Sequence, residues 1–187
     1  MPTVGCSLRR ALSYKNRDVV ARFAKSFRVP EEESAGIFEE CKKWLWLHTV
    51  PGAPPLEMMT EFLIIDEMWH TFVLYTRDYA RYCRSRFGVF MHHDPTSLRE
   101  QERTRRALEK DADAVMRKRR RQRERQYRHI ADHLGADTLR LWYVDYPLRY
   151  GREFFARVGI EVAAMDAQVE RELHALSQAD GATGTAA

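Results

Sequence analysis

Asp66 and His70 stand one helical turn apart in a segment that otherwise favours burial. With Phe62 at zero and about 100° per residue, Met58, Met59, Leu63, Ile65, Trp69 and Val73 fall with it in one broad apolar arc. Asp66 and His70 lie inside that arc, at roughly 40° and 80°. Side chains at this spacing can meet or converge on a shared ligand. A carboxylate on a buried face is costly unless it is paired, hydrogen-bonded or bound to a cation. Downstream, Tyr75, Tyr79, Tyr82, Cys83 and Arg86 form a second helical stripe, and Gly88 leads into Met91-His92-His93-Asp94-Pro95. Imidazole, carboxylate and thiolate are all metal donors, and imidazole with carboxylate suits zinc or iron. The expected ligands of a divalent ion are His70 and His93 first, then Asp66, then His92 or Cys83. Trp69, Tyr79 and Asp94 support them.

Two chemistries follow from that set. Three protein donors with an open position permit activation of water or of a substrate oxygen. Cys83 as a fourth donor closes the site and makes it structural. Without a metal, Asp66 and His70 form a structural hydrogen bond, or His70 acts as a base toward Cys83 if the thiol pKa is lowered. Cys83 also fits a small buried hydrophobe.

The elements that must position these groups read as helices. Val19, Val20, Phe23 and Phe27 make one stripe of a helix over about 16–27. Pro30 followed by Glu31, Glu32 and Glu33 starts a second, since proline is tolerated in the first turn and acids suit the positive end of the dipole. Pro51-Gly52-Ala53-Pro54-Pro55 stops it. A third covers about 56–75. Thr76 caps a fourth over 77–87, ended by Gly88. Thr96 or Ser97 caps a long helix over about 98–134, ended by Gly135. Asp137 caps a short one over 138–143. A last helix, roughly 161–177, precedes a small-residue tail expected to be disordered, 178–187. No run of alternating residues suggests a sheet. The expectation is an all-α fold: one irregular helical domain over 1–177, with its core at about 16–97 and one long basic helix.

The stretch IDEMWHTFVLYTRDYARYCRSRFGVFMHHDP, residues 65–95, resembles the signature of the glycine-rich domain-containing protein-like family, which is largely uncharacterised. The positions that carry the resemblance are Asp66, Trp69, His70, Tyr79, Cys83, Gly88, His93, Asp94 and Pro95. The glycine-rich tail of the larger members is missing. The resemblance therefore implies a shared His/Asp/Cys site, and not the functions tied to that tail.

The whole chain has 187 residues, a net charge of +4 and 44% hydrophobic residues, which fits one globular domain rather than a disordered polyelectrolyte. No apolar run approaches the roughly 20 residues of a membrane span. The first residues lack a secretory core, so the expected setting is cytoplasmic, with Cys6, Cys41 and Cys83 as free thiols. The positive charge concentrates in RKRRRQRERQYR: Arg117, Lys118, Arg119, Arg120, Arg121, Arg123, Arg125 and Arg128 against the single acid Glu124. These residues surround their helix rather than forming one stripe, which argues against a membrane-surface helix. They suit a solvated arm, or contact with nucleic acid or an acidic protein. The leading expectation is a metal-binding helical protein, and a metalloenzyme where the ion keeps an open position. The alternative is a non-catalytic interaction module with a structural His/Asp network and a partner-binding basic helix. A third reading has the aromatic segment from Trp142 to Phe155 wall a pocket for a peptide or small molecule, although core packing is its commoner use.

Overall fold

The computed structural model describes residues 6–159, and within them the fold is all-α. The expected last helix and tail lie outside the described residues. A short helix, α1 (Leu8–Leu12), opens the chain, capped by the Ser7 side chain on Arg10 N. Its five residues are too few for a periodic pattern, so it was not expected. Helix α2 (Arg17–Phe27) carries the anticipated stripe inward, and the Asn16 side chain caps it by accepting from the Asp18 and Val19 amides. Helix α3 (Glu31–Leu47) follows Pro30 and buries Ile37, Phe38, Cys41, Trp44 and Leu45. It is the central element, packed against α1, α2 and α4.

The third expected helix is shorter than its periodicity suggests. Helix α4 spans Leu63–Leu74, preceded by one 3-10 turn at Thr60–Phe62. Residues upstream of that turn form an irregular strap pinned to a later helix. Gln126 accepts from the Glu57 amide at 2.8 Å and donates to the Glu57 carbonyl at 3.1 Å. Gln122 donates to the Pro55 carbonyl. Helix α5 (Thr76–Phe87) starts directly after Tyr75, and Thr76 is its first residue rather than a side-chain cap. Gly88 ends it in the left-handed region, φ 76°, where a side chain would be strained.

The long basic helix is two helices. Helix α6 (Leu98–Lys110) begins at a capping box made by Ser97 and Glu100. Asp111, at φ −159° and ψ 86°, breaks the helical path and caps α7 (Ala112–Leu134) through its side chain on Ala114 N. An aspartate that satisfies an orphan amide makes such a break inexpensive. Beyond Gly135 come α8 (Ala136–Arg140), a π turn at Leu141–Asp145, α9 (Tyr146–Arg149) and α10 (Arg152–Arg157). The aromatic segment packs into the core: Trp142 is fully buried against Trp44 and Phe62, and Phe155 reaches Phe27. Among the described residues no helix is long and apolar enough to cross a membrane.

Candidate metal centre

Helix α4 buries Ile64, Ile65, Met68, Trp69 and Phe72. That orientation places Asp66 and His70 along the edge of the buried face. The loop after Gly88 returns over α4 because its backbone is fastened from below. The Trp69 indole N–H donates to the Tyr79 hydroxyl at 2.9 Å, and that hydroxyl donates to the Met91 carbonyl at 2.6 Å. Two residues further on, the His93 ring lies flat on Trp69, with centroids 3.9 Å apart and planes 11° apart. His93 thereby arrives beside His70, at 4.6 Å between ring centroids.

The result is a convergent group of Asp66, His70 and His93, each offering a ligand atom within 4.8 Å of the others. His93 Nε2 is 3.1 Å from Asp66 Oδ1, and His70 Nε2 is 3.9 Å from Asp66 Oδ2. In a tetrahedral site with metal–ligand bonds near 2.1 Å, donor atoms lie about 3.4 Å apart. Asp66 Oδ1 and His93 Nε2 are both buried, and neither makes a hydrogen bond, their own close approach being misaligned for one. Buried polar atoms are nearly always satisfied, so two orphans aimed at one point mark a place for something with positive charge. The His70 side chain is 51% exposed, against 17% for His93 and 20% for Asp66, so the group opens to solvent past His70.

Glu67 is the participant that sequence reading missed. Its Oε2 lies 3.4 Å from His70 Nδ1, on the ring edge away from Asp66. Glu67, with Asp66 adding to it, pushes the His70 pKa up against the opposing effect of burial. The signal was present, because Glu67 and His70 are three apart on one helix.

The remaining candidates are not in this group. Cys83 is fully buried beneath the loop. Burial pushes its thiol pKa up, more than the Met91 backbone and the Tyr79 side chain pull it down. A raised pKa disfavours a thiolate nucleophile there. His92 is exposed with its ring against Phe90, and Asp94 is exposed. Trp69 and Tyr79 hold the loop as described. Of the basic run, Arg119 is half-buried and the other seven are exposed. Arg123 reaches Glu61 at 3.9 Å.

A family model described as UCP032817-like matches residues 12–132, which takes in α2 to α6, most of α7 and all three converging residues. No curated protein and no solved structure matches the chain.

Proposed function

The chain belongs to the UCP032817-like family, and we propose that it is a metal-binding helical protein in which Asp66, His70 and His93 hold one divalent ion, zinc or iron. The observation that carries this reading is the pair of buried, unsatisfied atoms, Asp66 Oδ1 and His93 Nε2, facing each other beside a third donor. An ion would satisfy both at once. Two imidazoles and one carboxylate suit zinc, and are also the donor set of non-haem iron(II) sites.

Under this reading each neighbour has a task. Glu67 faces His70 Nδ1 and favours a proton there, which leaves Nε2 for the ion. Such outer carboxylates fix the tautomer and raise ligand basicity. Trp69 supports the His93 ring by stacking. Tyr79 anchors the loop through Met91 and so sets how far His93 reaches. Three protein donors leave at least one position open, on the solvent side past His70, where an ion can activate water or a substrate oxygen. That open position is the support for a metalloenzyme, with the reaction unassigned. The glycine-rich domain-containing protein-like resemblance over residues 65–95 rests on the same residues, and we take the metal centre to be what is shared.

The test is elemental analysis of the purified, untagged protein, with His70→Ala and His93→Ala beside it. The expected result is about one zinc or iron per chain in the wild type and its loss in both variants. A wild type that takes up neither ion after reconstitution would leave Asp66, His70 and His93 as a structural network.

A further inference from the structure

Six large apolar side chains are exposed among the described residues: Leu74, Val89, Phe90, Leu98, Val144 and Leu148. Scattered singly, such residues need no explanation. Three of these six, Leu74, Val89 and Phe90, stand on the two segments that build the metal centre, the end of α4 and the loop after Gly88. Leu74 lies one turn beyond His70, about 40° round the helix from it. A helical side chain covers the turn N-terminal to its own Cα, so Leu74 leans toward His70 and the solvent side of the centre. On the loop, the Phe90 ring stands edge-on to Tyr79 at 5.4 Å and to His92 at 4.9 Å. Tyr79 is hydrogen-bonded to the same Trp69 that carries the His93 ring, so Phe90 is held in register with His93.

The fixed charge around the centre is of one sign. The ion pairs of Asp66 and Glu67 run to His70 and His93, and to no lysine or arginine among the described residues. On α5, Arg77, Arg81 and Arg84 fall about 140–200° round the helix from Tyr79, so they face away from the loop that Tyr79 anchors. Asp66 and Glu67 together already balance one divalent ion. Sites built for phosphoryl or other strongly anionic groups surround them with arginine or lysine. An anion entering here would meet two carboxylates instead. A ligand without charge meets no such cost, and the exposed apolar side chains offer it surface to cover.

We propose, on the metal reading above, that the open position takes an uncharged ligand with an apolar chain, its oxygen donor on the ion and its chain on the apolar surface of Leu74 and Phe90.

Calorimetric titration of the zinc-loaded, full-length protein with straight-chain hydroxamic acids, from acetohydroxamic to octanohydroxamic acid, tests this. These compounds approach uncharged and offer oxygen donors to zinc. Full burial of a methylene is worth about fourfold in affinity, so on a half-open surface the expected gain is about twofold per methylene. Leu74→Asn and Phe90→Asn remove apolar surface without adding charge. Each is expected to reduce the gain per methylene, with zinc stoichiometry and the affinity for acetohydroxamic acid unchanged. The control Leu148→Asn, on α9, keeps the wild-type gain. Inorganic phosphate in large excess is expected not to displace acetohydroxamic acid. Affinity independent of chain length, a gain that survives in both variants, an equal loss in Leu148→Asn, or displacement by phosphate would each overturn the proposal while zinc uptake stands. A protein that takes up no zinc would overturn the metal reading with it.

Discussion

Two of the places where this fold brings ionisable side chains toward the inner face of a helix are finished differently. On α3, Lys42 is fully buried, yet its ammonium donates to the Leu12 and Tyr14 carbonyls at 3.0 and 2.7 Å and lies over the Phe38 ring. Nearby, Glu40 accepts from Lys43 at 2.8 Å and from the Trp142 indole at 2.9 Å. On α4, Asp66 faces His93 of the loop after Gly88, with a buried atom of each left unsatisfied. A closed network ties the fold together. An open one has room for a ligand. The same sequence encodes both, so the residue types alone do not tell a structural network from a site. Two unsatisfied atoms that face one another beside a third donor do.

The largest expected effect lies on the closed side. Lys42→Met removes the donor shared by two carbonyls that anchor the segment after α1. We expect a loss of about 2–4 kcal/mol in denaturant unfolding, with metal uptake unchanged. A loss of stability below about 0.5 kcal/mol would show that the network is not structural.

The pH dependence sharpens the same point. Burial lowers the Lys42 pKa from 10.5 to about 8. Between those values the unfolded chain binds more protons than the folded one, so this group's contribution to stability rises with pH. The cost of burying the charged form is fully present below pH 8. The wild type is therefore expected to gain on Lys42→Met by about 3 kcal/mol as pH rises from 8 to 10.5. Comparing the two proteins is essential, because burial pushes the Cys41 thiol up, and that contribution is lost as pH rises above 9. A gap between wild type and variant that is flat with pH would contradict the assignment.

The open side should respond in affinity rather than stability. Glu67→Gln is expected to weaken metal binding by about 10-fold, as outer-carboxylate changes do, with stability moved by less than about 0.5 kcal/mol because the site is half-exposed. Equal affinity in calorimetric titration would remove Glu67 from the site. A smaller effect still is expected at Cys83. Cys83→Ala should leave metal stoichiometry intact and cost stability alone.

Much of this was legible in the sequence, for physical reasons that differ by element. Helix α2 announced itself because Val19, Val20, Phe23 and Phe27 keep a 3.6-residue period. Asp66 and His70 were visible because a helix fixes which residues share a face. The start of α4 was misjudged because Met58 and Met59 continue its apolar period while belonging to a strap whose partner, Gln126, lies 69 residues from Glu57. The break at Asp111 was hidden because the residues on both sides favour a helix. Which histidine of the pair turns inward was also hidden. A loop has no periodicity, and the choice of His93 depends on the Trp69 stack and on the Tyr79 bond to Met91. The all-round basic helix was an overestimate of the same origin, since its inner face is defined by distant contacts.

The proposed centre is an ion held by two imidazoles and one carboxylate, with no sulfur. X-ray absorption at the edge of the bound metal, on stoichiometrically loaded full-length protein, reads that donor set directly. The expected spectrum shows nitrogen and oxygen neighbours at about 2.0–2.2 Å with two imidazole signatures. A sulfur scatterer at about 2.3 Å would contradict it, by bringing Cys83 into the shell and closing the position left open past His70.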